Sequence, residues 1–226
     1  AGQPIVKSNL VDKIAFTGGT ETGKKIMANS IGNLKRVSLE LGGKSPNIVF
    51  ADADYETALD HASFAIFNNA GQVCSAGSRL LVEKSIYNQF VQDLIKVTKN
   101  IRVGNRFNEQ SQMGPLISKQ HMEKVLKYIE LGTKEATLAC GGNQLSVGDL
   151  KNGNFIEPTI FIDVDPKSRI AQEEIFGPVL CVIPFESEEE ALQIANDSSY
   201  GLAAGIFTND VAKAERMSKN LRVGVT

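Results

Sequence analysis

The sequence predicts an α/β fold with a mostly parallel sheet. Short apolar runs alternate with amphipathic helical patterns along most of the 226 residues, which is the pattern of consecutive βαβ units. Strands linked by helical crossovers pair in parallel, because the crossover returns the chain to the edge where it started. The clearest helices are expected at 24–33, 55–68, 86–99, 118–132 and 212–221, and the clearest strands at 11–16, 35–41, 47–50, 80–83, 137–140 and 179–184.

Composition and charge exclude several classes of partner. The chain is 42% hydrophobic and 22% charged, an ordinary globular composition with enough length for a sizeable core. A net charge of −2 gives no electrostatic basis for binding nucleic acid or an anionic membrane. No apolar run approaches the roughly 18 residues that a membrane span needs.

The cysteines and histidines predict neither a disulfide framework nor a metal site. Three scattered cysteines, Cys74, Cys140 and Cys181, fit a reduced, cytoplasmic setting. No CxxC motif occurs, and His61 and His121 have no partners at the spacing of metal ligands. We therefore expect no metal.

The stretch 69–79 presents one cysteine, Cys74, among small and polar residues. Gly71 and Gly77 leave little bulk around it, so a substrate could reach the sulfur and the nearby backbone N–H groups. N–H dipoles favour a thiolate nucleophile at such a turn. A lone cysteine is more often a buried core residue, and the pattern alone favours that second interpretation.

Two further features lie upstream. Glu40 ends a probable strand between apolar residues; this could suit a general base, although strand alternation favours a solvent-facing glutamate. Gly18 and Gly19 begin a turn, 17–23, between a strand and a helix, the context in which N–H groups hold phosphate. That turn matches neither G-x-G-x-x-G nor a P-loop, and a plain tight connection explains it equally well.

These stretches together resemble the NAD(P)-dependent aldehyde dehydrogenase superfamily. The resemblance rests on four motifs in the expected order. They are the glutamate motif at 39–46 (LELGGKSP), the cysteine motif at 64–74, the segment 173–178 (EEIFGP) and the turn at 16–20 (FTGGT). Within the superfamily, the cysteine stretch and the glycine turn look most like the betaine-aldehyde and general aliphatic branches.

The resemblance implies a role for each motif. Cys74 would be the nucleophile that forms a thiohemiacetal and then a thioester, and its N–H would bind the oxyanion. Glu40 would activate the water that hydrolyses the thioester. NAD would be the cofactor, with NADP as the alternative. Cofactor contacts would come from Gly18, Gly19, Leu41, Glu174 and Phe176, while Cys140 and Cys181 would be structural.

The resemblance also implies two parts. Residues 1–42 correspond to the last part of a Rossmann-like cofactor domain. Residues 43–226 correspond to a three-layer catalytic domain that lacks its C-terminal end. We therefore expect a piece of a longer protein, a homodimer or homotetramer at full length, whose fragment binds NAD poorly and lacks dehydrogenase activity.

Three other functions stay open on the sequence. A CoA-acylating relative would resolve the thioester with CoA, although Glu40 favours water. A non-catalytic structural homologue would not need Cys74, Glu40 and Glu174 together. A cofactor-independent thiol hydrolase would need only the cysteine and the glutamate.

Overall fold

The computed structural model describes residues 2–226, and the chain divides into two compact units, Ala1–Gly42 and Gly43–Thr226. The first unit contains α1 (Gly2–Lys7), β1 (Lys13–Thr17), α2 (Thr20–Asn29) and β2 (Arg36–Glu40). Its two strands pair in parallel, with Thr17 opposite Glu40 at their carboxyl ends.

The glycine turn of this first unit is shorter than the sequence predicts. Helix α2 begins at Thr20 instead of residue 24, so only Gly18 and Gly19 lie outside regular structure. Glu21 lies in the first turn of α2, where the helix dipole favours an acidic side chain. The helix ends at Asn29, and a separate 3₁₀ turn, Ile31–Asn33, completes the predicted helical stretch.

The second unit holds the remaining elements. In chain order they are β3 (Pro46–Val49), α3 (Tyr55–Phe67), β4 (Arg79–Glu83), α4 (Lys84–Lys99), α5 (Lys119–Glu135), β5 (Thr137–Cys140), β6 (Gln144–Leu145), β7 (Phe155–Ile156), β8 (Thr159–Ile162), α6 (Arg169–Gln172), β9 (Val179–Phe185), α7 (Glu188–Asn196), β10 (Gly205–Phe207) and α8 (Val211–Asn220).

The main sheet has six strands in the order β10-β3-β4-β9-β8-β5. Every neighbouring pair is parallel except β5 with β8, which is antiparallel. This confirms the predicted mostly parallel sheet and makes it a mixed one. Pro158 separates β7 from β8, and β8 lies inside the sheet. The proline therefore marks a break.

The core lies on the central strands and the helices that cover them. Strands β3, β4 and β9 are buried along nearly their whole length, as expected for parallel strands covered on both faces. Helix α3 begins where the Asp54 carboxylate accepts a hydrogen bond from Thr57 N (3.0 Å) and buries Ala58, Ala62 and Ile66. Helix α5 begins in the same way, with Ser118 Oγ accepting from His121 N (3.1 Å).

Two further findings concern membrane-spanning helices and the last residues of the chain. Among residues 2–226, no helix is both long enough and apolar enough to cross a membrane. Near the last described residue, Val225 forms an isolated parallel bridge with Ala203.

Candidate active site

The turn before Cys74 is built on consecutive left-handed residues. Helix α3 ends at Phe67, and Asn69 (φ 51°), Ala70 (φ 54°) and Gly71 (φ 70°) follow. Left-handed backbone costs a non-glycine residue about 1 kcal/mol or more, so other contacts must hold it. Asn69 supplies two of them. Its carbonyl accepts from Gln72 N (3.1 Å), and its Nδ2 donates to the Gln72 carbonyl (3.0 Å).

The glycines beside Cys74 serve packing beneath the turn. A Cβ built on Gly71 would lie 2.0 Å from Gly177 O, and one on Gly77 would lie 2.3 Å from Asn47 Nδ2. Both glycines are buried. The structure therefore corrects the expectation that they clear space for a substrate: they let the turn lie directly on neighbouring segments.

Cys74 itself is exposed, unlike the buried Cys140 and Cys181. The buried interpretation of Cys74 is therefore wrong. Within residues 2–226 its backbone N–H has no hydrogen-bond acceptor. The Cys74 carbonyl lies against Gly43, where an added Cβ would come within 2.4 Å of the oxygen. The turn thus presents a thiol and an unused N–H at the surface above a tightly packed backbone.

Glu174 belongs to the same unit and is held by the same glycine. Gly43 N donates to Glu174 Oε1 (3.2 Å), and Lys124 Nζ donates to the Glu174 carbonyl (3.3 Å). Gly43 thus contacts both Cys74 and Glu174, although the chain positions alone do not indicate this. The half-buried Glu174 carboxylate has a fixed position and keeps its second oxygen free of hydrogen bonds from the described residues.

The neighbouring acidic residue, Glu173, has a structural role. It pairs with Arg169 (Nε to Oε1, 2.7 Å) and accepts from Tyr128 Oη (2.6 Å). The hydrogen bond from Arg169, followed by that from Tyr128, lowers the pKa of the Glu173 carboxyl. Burial, reinforced by Glu173, raises the pKa of Tyr128 to about 12. This network anchors the segment that carries Glu174.

Phe176 adopts a left-handed backbone (φ 61°), and its carbonyl lies 2.6 Å from His121 Nε2. The two rings meet edge to face at 5.9 Å. The sequence analysis did not identify His121 and Lys124 as contacts of this segment. Their spacing on a helix could be predicted, but the carbonyls that they contact lie 50 or more positions further along the chain.

Beside this segment runs an open groove of ≈ 930 Å³. Its lining includes Ser118, His121, Lys124, Tyr128 and Arg169.

The first unit carries the other predicted residues. Gly19 is the N-cap of α2, with no side-chain cap and open space where a Cβ would stand, so the first N–H groups of α2 are accessible to an anion. Gly18 N donates to the Glu40 carbonyl (3.0 Å). Leu41 lies over Gly23, where an added Cβ would come within 2.6 Å of its side chain.

Glu40 is not in apolar surroundings. Strand β2 alternates between exposed and half-buried residues, and Glu40 falls on the exposed side. The solvent-facing interpretation, which strand alternation favours, describes its position. A role as a base therefore depends on Glu40 being free to reach water, and not on burial.

Two cations lie buried near the start of β3 and β4. Arg79 is 1% exposed, and its guanidinium donates to the carbonyls of Lys44, Ile194 and Ala195 at 2.8–2.9 Å. Lys44 is 2% exposed, and its Nζ has no hydrogen-bond partner. Burial lowers the pKa of both groups, that of Arg79 to about 10. Cys181 is the strand partner of Arg79, and burial raises the pKa of its thiol.

The described residues include no cluster of three or more histidine, cysteine, aspartate or glutamate side chains that could hold a metal ion. The second unit thus offers an exposed thiol and a half-buried carboxylate bound to Gly43 N. The first unit separately offers a helix N-terminus preceded by glycine.

The exposed cysteine turn belongs to the unit that is built on the mostly parallel six-stranded sheet. Residues 1–226 match the aldehyde dehydrogenase family. The chain belongs to that family.

Its relatives include several aldehyde dehydrogenases. It is 53% identical over 224 residues to a betaine aldehyde dehydrogenase of Bacillus subtilis, covering 99% of this chain and 46% of the relative. It is 48% identical over 229 residues to the 5-carboxymethyl-2-hydroxymuconate semialdehyde dehydrogenase of Escherichia coli, covering 100% of this chain and 48% of the relative. The chain thus spans about half the length of the relatives it matches.

Solved structures share the fold closely. Betaine aldehyde dehydrogenase from Staphylococcus aureus in complex with NAD+ superposes with a TM-score of 0.97 at 48% identity, covering 99% of this chain and 45% of that one. HpcC from Thermus thermophilus matches with the same TM-score and identity, covering 99% and 44%.

Proposed function

We propose that this chain is the catalytic part of an NAD-dependent aldehyde dehydrogenase that oxidises an aldehyde to a carboxylic acid. The observation that carries the proposal is the exposed Cys74 with its unused N–H, fixed through Gly43 to the Glu174 carboxylate. Residues 1–42 are the end of the cofactor domain and 43–226 the catalytic domain. Family membership and the NAD+ complex of the S. aureus protein support the assignment.

The residues present fit NAD. Glu174 offers a carboxylate oxygen for the hydroxyls of a ribose, with Phe176 beside it. Gly18 and Gly19 leave the N-terminus of α2 open to a pyrophosphate. Leu41 would contact the nicotinamide. NADP is the alternative cofactor. When bound, the nicotinamide accepts the hydride that leaves the aldehyde carbon.

The protein's own groups carry the other steps. The Cys74 thiolate adds to the aldehyde carbon, forming a C–S bond, and the Cys74 N–H donates to the resulting oxyanion. Once the hydride has been transferred to a bound nicotinamide, a thioester would remain on Cys74. Glu40 takes a proton from water as the water attacks the thioester, the C–S bond breaks, and the carboxylic acid leaves with the thiolate restored.

Betaine aldehyde is the first substrate to test, because the B. subtilis relative is a betaine aldehyde dehydrogenase. The assay follows reduced cofactor with a form of the protein that has the full length of its relatives. We expect turnover with wild type and its loss, by at least about 10⁴-fold, in Cys74→Ala. Cys140→Ala, a buried cysteine, is the matched control and keeps the rate.

Other outcomes would identify the alternatives. Cofactor reduction that requires CoA would indicate an acylating enzyme. Ester hydrolysis that needs Cys74 but no cofactor would indicate a thiol hydrolase. Absence of both activities in a folded protein would indicate a structural homologue. An unchanged dehydrogenase rate in Cys74→Ala would refute the proposal.

A further inference from the structure

We propose that Gln72 is a positioning residue: its side-chain amide couples the cysteine turn to the N-terminal end of α5, and through α5 to the segment of Glu174. This inference rests on the proposed role of Cys74 as the nucleophile. It adds a residue that touches no reacting atom and acts through the backbone around Cys74.

Gln72 first closes the left-handed turn from within. Its backbone N donates to Asn69 O (3.1 Å), and its side-chain Nε2 donates to the same oxygen (3.1 Å). Asn69 returns a bond from Nδ2 to the Gln72 carbonyl (3.0 Å). A carbonyl with two donors is held firmly, which offsets part of the cost of two non-glycine residues with positive φ.

Gln72 also reaches a distant segment. Its Oε1 accepts from Ile117 N (2.9 Å), and its Nε2 lies 3.5 Å from Pro115 O. Ile117 precedes Ser118, the N-cap of α5. A residue that only closed its own turn would need none of these contacts. The amide therefore fixes where α5 begins relative to the cysteine turn.

Helix α5 continues the connection to Glu174. In the first two turns of α5, His121 Nε2 meets the Phe176 carbonyl (2.6 Å), and Lys124 Nζ donates to the Glu174 carbonyl (3.3 Å). Both contacts depend on the position of α5. Gln72 thus lies at the junction of the turn that presents Cys74 and the helix that holds the Glu174 segment.

Two substitutions distinguish the hydrogen bond that Gln72 Oε1 accepts from those that Gln72 Nε2 donates. Gln72→Met keeps the length of the side chain and removes all its hydrogen bonds. Gln72→Glu keeps an acceptor for Ile117 N but sets carboxylate oxygens against the carbonyls of Asn69 and Pro115. Gln112→Met is the matched control, since Gln112 Oε1 also accepts from a loop N–H, that of Arg102 (3.0 Å), and the Gln112 side chain makes no hydrogen bond to the cysteine turn.

The test is the rate at which iodoacetamide alkylates Cys74 in the 226-residue chain, followed by mass spectrometry of the Cys74 peptide. Thiol reactivity depends on the N–H dipoles and on the access that the turn sets. We expect alkylation to slow about fivefold in Gln72→Met, the equivalent of one lost hydrogen bond. Amide exchange at the exposed Ile117 should quicken in Gln72→Met and remain slow in Gln72→Glu. Gln112→Met should change neither measurement.

Alkylation in a folded Gln72→Met that stays within about twofold of wild type would overturn the inference, as would equal slowing in Gln112→Met. If Gln72→Met does not fold, alkylation is measured in Gln72→Glu instead, and a rate within about twofold of wild type would likewise overturn the inference. The assay needs no cofactor or aldehyde. A failure of dehydrogenase activity would therefore count against the proposed function and leave this result intact.

Discussion

Gly71 and Gly177 touch through their backbones: a Cβ on Gly71 would stand 2.0 Å from the Gly177 oxygen. Gly71 also has φ 70°, in the left-handed region. This contact joins the turn that presents Cys74 to the segment that carries Glu174, and no side chain fits between them.

We therefore expect Gly71→Ala to destabilise the protein by about 2–4 kcal/mol, from the positive φ and the overlap with backbone. Urea unfolding measures the change. Gly114→Ala, where an added Cβ meets nothing within 4 Å, is the matched control and should stay within about 0.5 kcal/mol of wild type. Equal stability of the two variants would show that the segments do not pack as described.

Glu174→Gln should weaken NAD binding in the full-length protein by about tenfold, since a carboxylate accepts hydroxyl hydrogen bonds more strongly than an amide oxygen. The amide can still accept from Gly43 N, so stability should change little. Isothermal titration with NAD measures the effect. Glu173→Gln is the control: it disturbs the pair with Arg169 and should cost at most about 1 kcal/mol of stability. Similar affinity losses in both variants would remove the distinction between the two glutamates.

Glu40→Gln should separate the two halves of the reaction. Removing the base should slow thioester hydrolysis about 10²-fold or more, while the first turnover still reduces cofactor. Stopped-flow absorbance would then show a burst close to one equivalent followed by a slow phase. Glu21→Gln, an exposed glutamate of the same unit, should behave as wild type. An unchanged steady-state rate in Glu40→Gln would assign the base elsewhere.

Lys44→Met should stabilise the protein at neutral pH by about 1–3 kcal/mol, because the buried ammonium has no hydrogen-bond partner and methionine has a similar shape. Burial lowers the pKa of Lys44 below its ordinary 10.5. The folded state then binds fewer protons than the unfolded state between the two pKa values, so the contribution of Lys44 to stability rises with pH in that window.

The advantage of Lys44→Met over wild type should therefore shrink as the pH rises towards 10.5. Urea unfolding at several pH values measures it as a difference from wild type, which cancels the other titrating groups. Lys119→Met, on the surface of α5, should give a difference that does not depend on pH. If Lys44→Met were less stable than wild type at neutral pH, the prediction would be wrong, and neighbouring groups would have to stabilise the buried ammonium.

Much of the architecture could be predicted from local pattern. Helix α5 follows from the spacing of Met122, Val125 and Ile129, which the structure buries, because a helix must turn one face to the core whatever its neighbours are. The parallel central strands follow from short apolar runs separated by helices. The start of α2, predicted at residue 24, lies at Thr20, and Glu40 is exposed, because helix boundaries and exposure depend on residues beyond the local window.

By itself the sequence determined the order of elements, the mostly parallel sheet and the motifs that indicate the family. These depend on periodicity and on the identity of neighbouring residues. Only the tertiary structure decided that Cys74 is exposed, that Gly43 contacts both Cys74 and Glu174, and that Gln72 reaches Ile117. The reason is that these contacts join distant positions, Gly43 and Glu174 being 131 residues apart, and the side chains at those positions carry no local sign of their partners.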